Sequence, residues 1–128
     1  MKIVLLEPDK VLADTYRQAL MHAGHKVVMC ASAQAAIFAA DEMQPDLVVM
    51  ELQLAGHSGI EFLYEFRSYD DWCEVPVIVL TNVPAGEFDG SWELLRSQLN
   101  VHTYHYKPLT SLRTLLRSVD AVRQSAAI

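Results

Sequence analysis

Apolar positions along this chain alternate between two periods. Lys2 to Leu6 is a short run rich in β-forming residues and predicts a first strand. Leu12, Tyr16, Ala19, Leu20 and Ala23 then recur at helical spacing, with Asp9 placed to cap the start and Gly24 to end the turn. His25 to Cys30 reads as a second strand. Ser32 opens a helix through Ala35, Ala36, Ala39 and Ala40 to about Met43, where Pro45 blocks continuation. Asp46 to Glu51 holds an unbroken apolar run that ends in a carboxylate, the pattern of a strand buried on both faces. Ile60, Phe62, Leu63 and Phe66 mark a third helix after Gly59. Ser68 to Glu74 is a polar connection holding Trp72. Val75 to Thr81 is a fourth strand, broken by Pro84 and Gly86. Trp92, Leu95 and Leu99 give a short fourth helix, and Val101 to Tyr106 a fifth strand. Leu112, Leu115, Leu116, Val119 and Val122 stripe a last amphipathic helix.

Five strands alternating with five helices imply βαβ units and a parallel sheet covered on both faces. The expected fold is a single α/β domain over residues 1–128. Its sheet would be doubly wound and five-stranded, in the flavodoxin-like order 2-1-3-4-5. In such sheets chemistry sits beyond the carboxyl ends of the strands, at the switch point between strands one and three. Glu7-Pro8-Asp9 and Glu51 would face each other there, with Thr81 and Lys107 completing the rim.

Composition narrows the function. The 128 residues carry a net charge of −6, which argues against this domain gripping a phosphate backbone directly. No apolar run approaches the ~20 residues that span a bilayer, and the N-terminal run meets Glu7 too soon for a signal peptide. Cys30 and Cys73 lack metal-like spacing, so reduced structural thiols in a cytoplasmic protein are expected. His102 and His105 fall on opposite faces of a strand and make a poor metal pair. His57 reads as a loop histidine near Glu51, and Trp72 and Trp92 as packing residues. Gly86 and Gly90 lack the lysine of a phosphate loop. Ser58 has no base within motif reach.

Five features in register give the chain a resemblance to the receiver domain of two-component response regulators. An acidic cluster follows strand one. An acid, Glu51, ends strand three, and Gly56 to Gly59 form a Gly-x-x-Gly loop after it. Thr81 ends strand four. Lys107-Pro108 follows strand five, with Tyr104 three residues before the lysine. The resemblance implies phosphoryl transfer from a kinase histidine to a strand-three aspartate. Mg²⁺ there is bound by that aspartate, a second acid after strand one, and a carbonyl two residues past the acceptor. The threonine and lysine bind the phosphoryl oxygens, after which the aromatic turns inward. Mg²⁺ offsets charge on the transferring group and requires near-octahedral oxygen ligands.

The sequence departs from that pattern at three places. Glu51 replaces the acceptor aspartate, Pro8 the usual metal-ligating acid, and Asn82 a small residue beside Thr81. The implied reading is an atypical, or pseudo-, receiver. Glu7, Glu51 and the Gln53 carbonyl form a degenerate metal site that holds Mg²⁺ at best weakly, even if Asp9 reaches in. Thr81, Tyr104 and Lys107 remain as switch residues. Such a module would act by protein contacts, without catalysis or a required cofactor. The alternative is an impaired but genuine Mg²⁺-dependent phosphoacceptor. A third reading places a small ligand such as a flavin at the switch point, by analogy of fold alone.

The expected partner is a histidine kinase or effector protein, docked on the face of helix four, strand five and helix five. That face would carry Trp92, Leu95, Tyr104, His105, Arg113 and Arg117, unless Leu95 and part of Trp92 belong to the core; a weak homodimer through it is the alternative to a heterologous partner. Direct nucleic-acid or membrane contact is not. A Glu51–Lys107 ion pair is anticipated in a half-exposed crevice, where it would contribute about 0–1 kcal/mol. One carboxylate is not expected to engage both Thr81 and Lys107, as a phosphoryl group does.

Overall fold

The computed structural model describes residues 1–56, 58–84 and 91–126, with only the backbone of Ser91, Trp92 and Ala126. His57, Gly86 and Gly90 lie outside the described residues. The elements are β1 (Lys2–Leu6), α1 (Lys10–His22), β2 (Lys26–Cys30), α2 (Ala33–Glu42), β3 (Leu47–Met50), α3 (Gly59–Ser68), β4 (Val77–Thr81), α4 (Ser91–Ser97), β5 (Val101–Tyr106) and α5 (Leu112–Ala126). The strands form one parallel sheet in the order β2-β1-β3-β4-β5. This is the flavodoxin-like arrangement that the alternation predicts.

Local chemistry fixes the helix ends. Asp9 accepts hydrogen bonds from the N–H groups of Val11 and Leu12, at 3.0 and 3.1 Å. Ser32 accepts from the Ala35 N–H and Ser58 from the Glu61 N–H, each at 3.1 Å. Each of these side chains satisfies a first-turn donor that has no partner inside the helix. Gly24 ends α1 with φ +95°, a left-handed conformation that favours glycine.

The sheet separates two apolar layers. On one side Ala36, Ala40, Phe62, Phe66, Leu95 and Leu99 pack against Val4, Leu6, Val48, Met50 and Val79. On the other, Leu20, Leu115, Val119 and Val122 pack against Ile3, Leu5, Val49 and Ile78. β1, β3 and β4 are therefore covered on both faces, as their unbroken apolar runs require.

Three local expectations change. The fourth strand begins at Val77 rather than Val75. The Pro76 carbonyl still accepts from the Val48 N–H at 3.0 Å, but proline has no N–H to return. The connection after α3 contains a 3-10 turn, Asp70–Trp72. Trp72 is buried there, stacked 5.1 Å from the Phe66 ring, and its indole N–H donates to Gln44 at 3.1 Å. α4 ends at Ser97, so Leu99 enters the core from the following turn, where Asn100 takes φ +52°.

Gly59 joins this framework to the sheet edge. A Cβ built on it would lie 2.6 Å from the Leu52 Cα and 3.0 Å from the Leu52 carbonyl oxygen. Both are backbone atoms and cannot rotate away. We expect Gly59→Ala to destabilise the fold by about 1–3 kcal/mol, read as a fall in the urea midpoint. An unchanged midpoint would show that the loop absorbs the methyl group.

Candidate functional site

Glu7 leaves β1, Glu51 leaves β3, Thr81 ends β4 and Lys107 follows β5, so parallel strands deliver all four side chains to one edge. There they form a single buried cluster. The Lys107 Nζ lies 2.6 Å from Glu7 Oε1 and 2.8 Å from Glu51 Oε1. The Lys107 side chain is 8% exposed, against 4% for Glu7 and 3% for Glu51. The anticipated ion pair is present, but the half-exposed crevice is not: the ammonium is enclosed between two carboxylates.

The expectation that one carboxylate cannot serve both switch residues is also overturned. Glu51 Oε1 takes Lys107, while Oε2 accepts a short hydrogen bond from the Thr81 hydroxyl. The two oxygens point in different directions, and the extra methylene of glutamate carries them far enough to reach both partners. Oε2 also accepts from the N–H groups of Leu52 at 2.6 Å and Gln53 at 3.0 Å. The Asn82 N–H lies 3.4 Å from Oε1, while the Asn82 residue itself is exposed. Glu7 Oε2 accepts from the Asp9 N–H at 3.1 Å. With two carboxylates and one ammonium the cluster carries an excess negative charge, which these N–H dipoles stabilise.

Burial alone would raise the Glu51 pKa. Hydrogen bonds from Lys107, Thr81 and the Gln53 N–H outweigh it and hold the carboxyl below its ordinary 4.5. Burial would lower the Lys107 pKa, but its bonds to Glu51 and Glu7 win and raise it above 10.5. Tyr16 of α1 was legible in the sequence only as a core position, yet it feels the same charges. Burial raises its pKa, Lys107 opposes that, and Glu7 and Glu51 add to it.

A hydrogen-bond chain leads away from the cluster. The Val83 N–H donates to the Thr81 hydroxyl oxygen at 3.2 Å, and the Tyr104 hydroxyl donates to the Val83 carbonyl at 2.5 Å. Tyr104 is half-buried against the α2–α3–α4 layer. Lys107, Glu51, Thr81, Val83 and Tyr104 are thus connected in series. Val83 carried no sequence signal, because it takes part through its backbone.

The donor set does not suit Mg²⁺, which needs near-octahedral oxygen ligands. The Lys107 ammonium already engages both Glu7 and Glu51, the two acids that would have to hold a cation. Both Glu51 oxygens are engaged, and Pro8 has no ligating atom. Asp9 does not reach in, because its carboxylate caps α1. What Gln53 gives Glu51 is its N–H. Among the described residues no group of three or more His, Cys, Asp or Glu side chains forms a metal site. His57 lies outside the described residues.

On the expected partner face, Leu95 belongs to the core, 1% exposed, because α4 has to seal the sheet beside β5. Arg113 and Arg117 are exposed, and His105 is half-buried with Nε2 2.7 Å from the Ser118 hydroxyl. The Trp92 side chain lies outside the described residues. Cys30 is buried, which pushes its thiol up to about 11, and Cys73 is exposed; both are free. No helix among the described residues is long and apolar enough to cross a membrane.

Comparison with known proteins adds the family. The response regulator receiver domain family matches residues 3–119. The chain is 29% identical over 128 residues to the regulatory protein VanRB of Enterococcus faecalis, which covers 99% of this chain and 54% of that protein. It is 32% identical over 79 residues to the KDP operon transcriptional regulatory protein KdpE of Escherichia coli, covering 62% of this chain and 34% of that protein. The chain therefore spans about half or less of the length of these curated relatives. Among solved structures, the chemotaxis protein CheY4 of Vibrio cholerae superposes with a TM-score of 0.83 at 19% identity, covering 94% of this chain and 97% of that one. The non-phosphorylated receiver domain of HemR from Leptospira biflexa gives 0.79 at 23% identity, covering 94% and 92%. Both share the fold.

The pKa directions set a pH dependence. The folded chain protonates Glu51 at lower pH than the unfolded chain does. Its contribution is therefore present above 4.5 and is lost as pH falls through the folded value. Lys107 contributes fully below 10.5, and its contribution is lost as pH rises through its higher folded value. We expect Glu51→Gln to flatten the acid limb of urea midpoint against pH. Lys107→Met leaves two buried carboxylates without a counter-charge and should cost about 3–5 kcal/mol at pH 7. Its deficit should shrink on acidification, as a stranded carboxylate takes up a proton. Parallel pH profiles for parent and variants would show that the cluster does not carry this stability.

Proposed function

Because the chain belongs to the response regulator receiver domain family, we propose that it is a receiver module that signals by protein contacts, without phosphoryl transfer. One observation carries this reading: the Glu51 carboxylate engages Lys107 and Thr81 together. Those are the two side chains that the family resemblance assigns to the phosphoryl oxygens. Glu51 supplies a permanent anion in their place, with one negative charge where a phosphoryl group brings about two. Thr81 is drawn to that anion, and Tyr104 is tethered inward through Val83. The module rests in a switched arrangement without a donor, a metal or any catalysis of its own.

Receivers of this family work with histidine kinases and effectors in two-component systems. For this chain we assign the partner to the α4–β5–α5 face, through Arg113, Arg117, Tyr104 and His105, with weak homodimerisation through the same face. Arginine and tyrosine are enriched in binding hot spots. The competing reading, an impaired Mg²⁺-dependent acceptor, requires Glu51 to give up Thr81 and Lys107 before it attacks. It would also have to assemble a metal site without an acid at position 8.

Incubation with acetyl phosphate and Mg²⁺ tests the proposal by intact mass. The parent should gain no phosphoryl group, and a Mg²⁺-dependent gain at Glu51 would refute the reading. Labelling should return only when Glu51→Asp is combined with Pro8→Asp, with Asn82→Ala as a further aid. Full labelling of Glu51→Asp alone would show that Pro8 is not limiting.

A further inference from the structure

The chain's negative charge is concentrated in one segment. Residues 31–76 carry nine carboxylates and one arginine; with Glu51 set aside as buried against Lys107, the balance is −7, against −6 for the whole chain. The arginine does not offset the surface it belongs to. Arg67 turns its guanidinium onto the carbonyls of Leu99, Trp72 and Asn100, at 2.9, 2.8 and 3.1 Å.

The same segment holds an apolar groove between α2 and α3. Two clefts of about 490 and 320 Å³ share Ile37 and Phe38 and so adjoin at these side chains. Phe38 is 63% exposed, and Tyr69 is exposed at the far end. The groove exists because α2 meets the sheet through small residues, Ala36 and Ala40. Gln34, Phe38 and Asp41 are spaced along the outer face of the helix. Glu61 and Glu65 border the first cleft, and Asp41 and Asp71 the second. Carboxylates thus stand at both ends of an aromatic floor.

We propose that this groove docks a basic amphipathic helix of a partner protein. Apolar side chains at i, i+3 or i+4 and i+7 would pack around Phe38, and Lys or Arg residues beside them would meet the acidic ends. Charge complementarity decides the occupant. A symmetric pair of copies through this groove would set acidic face against acidic face. A head-to-tail pair would have to offer the groove a basic amphipathic helix, and the Arg-bearing helix α5 already buries its apolar positions Leu115, Val119 and Val122 against the sheet. The groove lies apart from the Glu51 cluster, so docking does not depend on whether Glu51 accepts a phosphoryl group, and the two tests fail independently.

The probe is a fluorescein-labelled Lys/Leu peptide of about 18 residues, roughly 27 Å long as a helix, with leucines at helical spacing. A peptide of the same composition in scrambled order is the control. We expect saturable binding of the amphipathic peptide by anisotropy, with amide shifts confined to α2, α3 and the Asp70–Trp72 turn. Phe38→Ala, at an exposed position, should weaken it at least tenfold with an unchanged melting temperature. Asp41→Lys combined with Glu65→Lys should weaken it further and reduce its salt dependence, while Arg113→Ala should leave it unchanged. Equal binding of the scrambled peptide, equal binding to Phe38→Ala, or shifts centred elsewhere would each overturn the proposal. So would self-association by sedimentation that Phe38→Ala abolishes, since the occupant would then be a second copy.

Discussion

An ammonium held between two buried carboxylates is the constraint on which the carboxyl edge depends. Removing three charged groups from water costs several kcal/mol per ion, and only close packing against opposite charge and N–H dipoles offsets it. Lys107 can make its two contacts only because the parallel order sets β1 beside β3 and β3 beside β4, with β5 outermost. The N–H groups of Leu52 and Gln53 can point at Glu51 only if the loop after β3 turns tightly. Gly59, against the Leu52 backbone, permits that turn. Sheet order, glycine packing and charge placement therefore belong to one arrangement.

That arrangement also links site to surface. The two Glu51 oxygens divide their partners, Oε1 taking Lys107 after β5 and Oε2 taking Thr81 at the end of β4. Val83 and Tyr104 extend the second direction to the flank of the sheet. The acid, the hydroxyl and the aromatic ring are coupled by contacts that are already made, rather than awaiting a ligand.

Much of this was legible in the sequence. Alternating periods led to the strand order, because parallel strands buried on both faces leave few other connections. Strand ends placed Glu7, Glu51, Thr81 and Lys107 on one edge. What periodicity could not convey was depth. Lys107 reads as a strand-end lysine with many rotamers, and only the assembled edge encloses it. The double role of Glu51 depends on carboxylate orientation, which one extra methylene determines and no pattern encodes. Backbone participants such as Val83 leave no trace in a string of side chains. Leu95 was left between partner face and core because a short helix with few apolar positions does not say which of them the sheet requires; it is core. The Asp70–Trp72 turn was read as polar connection because its one apolar residue, Trp72, finds partners 6 residues earlier in Phe66 and across the fold in Gln44.

The enclosure of Lys107 has a thermal consequence. The penalty for dehydrating charged groups falls as temperature rises, whereas apolar burial gains little more per unit area. The balance within the Glu7–Lys107–Glu51 cluster therefore improves on warming relative to the two hydrocarbon layers that flank the sheet. Heat thus shifts the relative weight of stabilisation from the layers toward the charged edge.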